Sequence, residues 1–322
     1  MNRRDVLKTG AAAGALIVTG TSFAHADWTP RRPINAILPY AAGGGTDALA
    51  RAAAAAGQDI LPVPLVIVNK PGSSGITGAT EAAGARPDGN TVMVTSAGSF
   101  LLTSMLRETE VNPFESFEII AQIGNLTPAI IVPAASPFQT VQDLVDALSS
   151  NPGSLRWAHN GRGGFHQVAG QSFLNLNGLE AQDVPFKGGG PTRAAVIGEQ
   201  VDFAFVGIQQ AAGFENELRV LALVAPERDP IRDDVPTLEE LGFDYAAVSS
   251  PIVFFAPKGT DPEIISGMEA ALKQIAETDQ FAELMRERGN VPAFLTGAET
   301  EARLREMQEA TQPVIDALKT QG

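Results

Sequence analysis

The chain has 322 residues, 37 acidic against 23 basic side chains, a formal charge of −14 and no cysteine. The missing thiols exclude disulfides and thiolate catalysis, and a strongly acidic surface disfavours nucleic acid and anionic lipid as partners. An anionic small molecule stays open as a ligand, because a local set of backbone N–H dipoles outweighs distant, salt-screened charge.

The first 26 residues predict an export signal of twin-arginine type. Asn2-Arg3-Arg4-Asp5-Val6-Leu7-Lys8 leads into a modestly apolar stretch, Thr9 to Phe23, and then into the small-x-small site Ala24-His25-Ala26. That stretch is short for a membrane anchor and is broken by Gly14 and Gly20. Export to the periplasm with cleavage after Ala26 is expected. The signal carries three basic groups and one acid, so the remaining 296 residues, from Asp27, hold a charge of −16. A chain of that length suits two lobes better than one core.

Short apolar runs alternate with helical patterns, which predicts α/β architecture with largely parallel sheets. Strands are expected at Ile34 to Leu38, Leu65 to Val68, Thr91 to Thr95, Ala129 to Val132, Leu155 to Ala158, Val201 to Val206 and Val220 to Val224. Helices are expected at Thr46 to Ala56, Val141 to Leu148, His166 to Leu176 and Thr192 to Gly198, with a helical C-terminal part over Pro262 to Glu277, Asp279 to Arg288 and Ala298 to Leu318. Two segments read as crossings between lobes: Ile119 to Val132, interrupted by Asn125-Leu126-Thr127-Pro128, and Ser249 to Pro257. The chain then leaves a first lobe (27–124), builds a second (125–250) and returns to the first (251–322). A cleft between lobes so connected is the natural place for a ligand.

Two glycine-rich strand-to-helix turns stand out. Tyr40 to Asp47 runs through Ala42 and Gly43-Gly44-Gly45 into Thr46, and Asn160-Gly161-Arg162-Gly163-Gly164-Phe165-His166 has the same design. Each bares the N–H groups and the positive dipole end of a helix start to an approaching anion. Gly188-Gly189-Gly190 before Pro191 reads instead as a structural turn into a helix. The first turn lacks both the G-x-G-x-x-G spacing and the lysine of a phosphate loop. No nucleophile elbow is present, and the histidines left after processing, His159 and His166, have no carboxylates at metal-ligand spacing, so neither an enzyme nor a metal or other cofactor is expected. His166 reads as a locally packed first-turn residue, and Asp47 as one that holds its own loop or caps its helix. Few aromatic side chains are available to form a sugar platform, so a small carboxylate suits these turns better.

The chain resembles, nearly end to end, the periplasmic substrate-binding proteins of tripartite tricarboxylate transporters, the Bug family. The residues that carry the resemblance are Pro33-Ile34 leading to Ala42-Gly43-Gly44-Gly45-Thr46-Asp47 and Arg51, VNKPGSSG from Val68, PDGNT from Pro87, VPFKGGGPT from Val184, the GEQVDF run from Gly198, and LALVAPERDPIRDDVPTLEELG from Leu221. The resemblance implies a two-lobed periplasmic binding protein, monomeric, whose cleft closes on a small organic carboxylate, a di- or tricarboxylate being favoured, and delivers it to integral membrane transporter subunits. It places one carboxylate at Tyr40 to Asp47, often through ordered waters, and the other end of the ligand at Asn160 to His166. Ser96 and Ala97, after the third strand, and Gly207 and Ile208, after a second-lobe strand, fall at further cleft loops. Two features depart from the family pattern: Gly164 stands where a serine is common, and Gly207 to Glu217 lacks the usual run. With that hydroxyl gone, Arg162 either offers a guanidinium fork to a second carboxylate or is a solvated loop arginine. A ligand sensor of the same fold that signals to a membrane kinase needs the same cleft, and neighbouring genes distinguish the two.

Overall fold

The computed structural model describes residues 28–321 except 108, 247 and 249. The export signal and its cleavage site lie outside the described residues. The chain order is β1 (Ile34–Leu38), α1 (Gly45–Ala56), β2 (Leu65–Asn69), α2 (Ile76–Ala83), β3 (Thr91–Ser96), α3 (Ala97–Leu106), β4 (Phe117–Leu126), β5 (Pro128–Pro133), α4 (Val141–Ser150), β6 (Arg156–His159), α5 (Phe165–Leu176), β7 (Gln182–Pro185), α6 (Gly189–Ile197), β8 (Phe203–Gly207), β9 (Leu218–Leu223), β10 (Ser250–Pro257), α7 (Pro262–Ala276), α8 (Asp279–Arg286), β11 (Leu295–Thr296) and α9 (Gly297–Gln321).

Two sheets form two lobes. The first has strand order β11-β4-β10-β3-β1-β2 and the second β7-β6-β8-β5-β9. Neither is largely parallel. β1 runs parallel to β2 and β3, and β6 parallel to β7 and β8, but every pairing of β10, β11 and β5 among the described residues is antiparallel. The cause is the double connection: β4 leaves the first lobe and β10 returns to it, so the two strands must run in opposite directions where they pair. Their ladder continues to Leu126 opposite Ser250. The change of sheet therefore falls at Thr127, past the expected edge at 124, and Ser250 pairs in the first sheet.

The central strands of each sheet are buried on both faces, which is why they read as continuous apolar runs, while the edge strands β2 and β7 are partly exposed. In β1, Ile34, Ala36 and Leu38 pack into one core while Ile37 packs into another with Met93, Phe100, Phe117 and Phe255. In β8, Phe203 and Phe205 face one side, and Ala204 and Val206 the other. Helix α3 was not expected from sequence. AGSFLLTSML has no polar face, because α3 is enclosed by α9, β10 and the second lobe's α5.

Candidate ligand-binding site

Four helices begin at one interlobe cavity: α1 and α3 from the first lobe, α5 and α6 from the second. Their N-cap residues Gly44, Ser96, Gly164 and Gly188 all line it, and in none does a side chain cap the helix. Away from the cavity, side chains cap three helices, α4 by Thr140, α7 by Asp261 and α8 by Thr278, whereas α2, which starts after Gly75 outside the lining, has no side-chain cap. A local cap satisfies the free N–H groups of a first turn. At the cleft Ser99 takes the Phe165 N–H that opens α5, and the other first-turn N–H groups have no side-chain partner among the described residues.

The lobes are in contact around this cavity. The Ser74 hydroxyl donates to the Arg162 carbonyl at 2.5 Å, Arg107 Nη2 donates to the same oxygen at 3.2 Å, and the Phe165 N–H donates to Ser99 Oγ at 3.3 Å. Glycines bring backbone against backbone. A Cβ on Gly44 would stand 3.4 Å from Gly189 N, and one on Gly190 only 3.1 Å from the Ala42 carbonyl. Ser73 and Ser74 hold left-handed conformations with φ of 47° and 55°, a costly geometry for non-glycine residues, at the tip where Ser74 reaches the other lobe.

The polar groups are mostly donors. The Tyr40 hydroxyl accepts from Thr95 Oγ1 at 3.3 Å, so its own proton remains available. Asn160 Nδ2 donates to His166 Nδ1 at 2.9 Å, which puts the proton of the neutral ring on Nε2, and that nitrogen is buried without a partner among the described residues. Burial, with a smaller contribution from His159, lowers the His166 pKa to about 3, so the ring is uncharged near neutrality. Among the lining residues Asp47 is the one carrying a formal charge, and both its oxygens are occupied. Oδ2 accepts from Gly43 N–H and Arg51 Nε, each at 3.0 Å, and Oδ1 accepts from Asn69 Nδ2 at 2.9 Å. Burial alone would raise the pKa of this carboxyl; the bonds from Arg51, Gly43 and Asn69 overcome that and hold it below the usual range. No group of three or more metal-ligating side chains occurs among the described residues.

The family model described as tripartite tricarboxylate transporter family receptor matches residues 49–319. The chain belongs to this family. Its members are solute-binding receptors rather than enzymes. A second model, the twin-arginine translocation pathway signal sequence, matches residues 1–20, so this receptor is exported to the periplasm. BugT of Bordetella pertussis is 27% identical over 305 residues, covering 90% of this chain and 91% of its own. The structure of the periplasmic binding protein BugD aligns with TM-score 0.82 at 25% identity, covering 90% and 98% of the two chains. MatC from Rhodopseudomonas palustris, solved with bound malate, aligns with TM-score 0.82 at 26% identity, covering 89% and 99%.

Of the residues singled out from the receptor's sequence, Tyr40, Gly44, Gly45, Thr46, Asp47, Ser96, Asn160, Gly161, Gly164, His166 and Gly207 line the cavity. Ala42, Gly43, Ala97, Gly163 and Ile208 belong to the same loops but do not line it. Arg162 is not a cleft cation: its side chain is 56% exposed and Nη1 pairs with Asp183 Oδ2 at 2.7 Å, away from the lining. Sequence reasoning missed Ser74, Ser99, Leu126, Gln209 and Gln210, and took Gly188-Gly189 for a turn alone. Two adjacent glutamines just past a strand end, inside the run that departs from the family pattern, were the available signal for Gln209 and Gln210.

Asp47 organises the first loop. Asp47→Ala strands the Gly43 N–H, the Asn69 amide and Arg51, and is expected to destabilise the protein by about 1–3 kcal/mol, with Asp47→Asn intermediate. Urea unfolding of the ligand-free protein measures this. Equal stability in Asp47→Ala and wild type would show that the loop does not depend on the carboxylate.

Proposed function

We propose that this receptor captures a small organic carboxylate, with di- or tricarboxylates favoured, and delivers it to the integral membrane subunits of a tripartite transporter. The observation that carries the reading is the convergence of four uncapped helix starts, two from each lobe, on a cavity with no lysine or arginine in its lining. Aligned N–H groups with a positive dipole end suit a carboxylate and need no counter-ion. Neutral donors complete the set: Tyr40 OH, the His166 Nε2–H and the Ser99 hydroxyl, while the Ser96 hydroxyl is bonded to Ser250. The malate held by MatC supports the same ligand class. The ligand-contacting set is proposed as the lining residues named above, with Asp47 acting through the loop it holds, and the receptor as a monomer without cofactor or nucleic-acid partner.

A thermal-shift screen of small acids tests the reading. A ligand at a hundred times its dissociation constant is expected to add about 2.7 kcal/mol of stability. Stabilisation by amino-group or sugar solutes, with none by any carboxylate, would overturn it.

A further inference from the structure

On the outer side of the Gly43–Asp47 loop lies a second interlobe cavity of about 360 Å³, against about 30 Å³ for the inner one on the same measure. The two share a wall made by Gly44, Gly45, Asp47, Gln209 and Gln210. Three arginines line the outer cavity: Arg51 and Arg288 from the first lobe and Arg193, on α6, from the second. In a chain of formal charge −14 this is an unusual concentration of cations. Arg51 is committed to Asp47, the one acid in the lining. Among the described residues, neither Arg193 nor Arg288 has a carboxylate partner within ion-pair distance. Arg193 stacks over the Phe214 ring at 4.1 Å and donates to Gln210 Oε1 at 3.3 Å, which fixes its plane while leaving its charge uncompensated. Burial disfavours that charge and lowers its pKa, a cost that an anion in contact would offset. The Arg288–Asn290 turn is pressed against the second lobe, since a Cβ on Gly289 would lie 3.2 Å from Ala212. Arg193 from the second lobe and Arg288 from the first therefore line one cavity whose single acid, Asp47, is already paired with Arg51.

The wall between the cavities is thin. Gln209 packs directly on Gly45, is 6% exposed, and its Oε1 has no partner among the described residues, so no hydrogen bond fixes its carbonyl oxygen against rotation. The inner cavity has room for one carboxylate group but not for a long diacid.

We propose that the outer cavity is a carboxylate site continuous with the inner one: the helix starts take the near carboxylate, the chain passes Gln209, and Arg193 and Arg288 take the far carboxylate. This rests on the carboxylate reading above. The paired guanidinium groups suit a carboxylate in planar, bidentate contact and lock the lobes together once it is bound. The selection is then for extended diacids over monoacids of equal length.

Calorimetric titration of wild type, Arg193→Gln, Arg288→Gln, the double variant and Arg193→Lys with straight-chain diacids from malonate to suberate, and with hexanoate, tests the site. Wild type is expected to prefer the longer diacids to hexanoate. The double variant should lose roughly tenfold to a hundredfold for those diacids alone, and Arg193→Lys should fall between wild type and Arg193→Gln. A titration of hexanoate with added sulfate distinguishes the two sources of the anion. If sulfate strengthens hexanoate binding in wild type but not in the double variant, a separate anion fills the site; if only the tethered diacid gains, the far carboxylate does. Diacid affinities unchanged in the double variant would overturn the site while leaving the carboxylate reading intact. Wild type that binds no carboxylate would overturn both.

Discussion

Gly190→Val is expected to remove tight ligand capture while each lobe still folds. Gly190 sits in the first turn of α6, where replacing glycine relieves a backbone-entropy cost and does not harm the helix. The obstacle lies in the other lobe. A Cβ there would stand 3.1 Å from the Ala42 carbonyl oxygen and 3.2 Å from Gly43 C, and both are backbone atoms of the loop that α1 and Asp47 hold in place. The valine methyls reach further, so the lobes must stay apart. Overpacking of this kind costs about 1–3 kcal/mol, here charged against closure alone, which corresponds to roughly tenfold to a hundredfold in affinity. Gly44→Val acts in the same sense from the opposite side, its Cβ facing Gly189 N at 3.4 Å. Gly84→Ala is the control: φ is −80° and the nearest atom to its Cβ is 3.5 Å away. Gly72 cannot serve as one, because its φ of 152° and a 2.5 Å approach to Thr77 Oγ1 make any side chain disruptive there. Calorimetry gives the affinity, and small-angle scattering the ligand-induced contraction. Wild-type affinity and contraction in Gly190→Val would show that the loop contact is not part of closure.

The second large effect is a pH dependence carried by His166. Its folded pKa is depressed from 6.5 to about 3 by burial, so the unfolded chain binds the proton more readily over that interval. Stability from this group is fully present above pH 6.5 and falls as the solution is acidified toward the folded value. Between pH 7 and pH 5 the loss is about 2 kcal/mol, approaching 1.4 kcal/mol per pH unit at the steepest. His166→Gln, which cannot titrate, should show a correspondingly smaller difference between the two pH values. Urea unfolding of both proteins at pH 7 and pH 5 measures it, and identical differences would show that His166 is not buried neutral. His166→Leu, which has no donor in place of the Nε2–H, should lower ligand affinity at pH 7 roughly tenfold.

Much of this was legible in the chain because the two lobes repeat one local design. An apolar strand, a glycine turn and a helix without a side-chain cap can be read at Ile34 to Ala56 and again at Arg156 to Leu176, since every signal is within a few residues. What stayed hidden depends on contacts between distant segments. The direction of β10 is set by the return crossing rather than by its own apolar sequence. Ser99 looks like any serine in an apolar helix, and its role appears only when the Phe165 N–H arrives from the other lobe. Arg162 offered the most misleading signal: glycines on both sides suggested a ligand clamp, but Asp183, on a neighbouring strand, takes the guanidinium. The arginines that do converge, Arg193 and Arg288, are almost a hundred residues apart and share no motif.

On the proposed reading, the uncapped helix starts make the solute a structural component of its own receptor. In the proposed binding mode it stands where an N-cap would, between helix starts of both lobes, so the groups proposed to recognise it are groups that folding left unfinished. Aspartate at Gly44 or Gly164 would finish the local helix and fill the place reserved for the anion, turning the protein into its own competitor. Added local helix stability at these two positions is therefore expected to come at the cost of ligand binding.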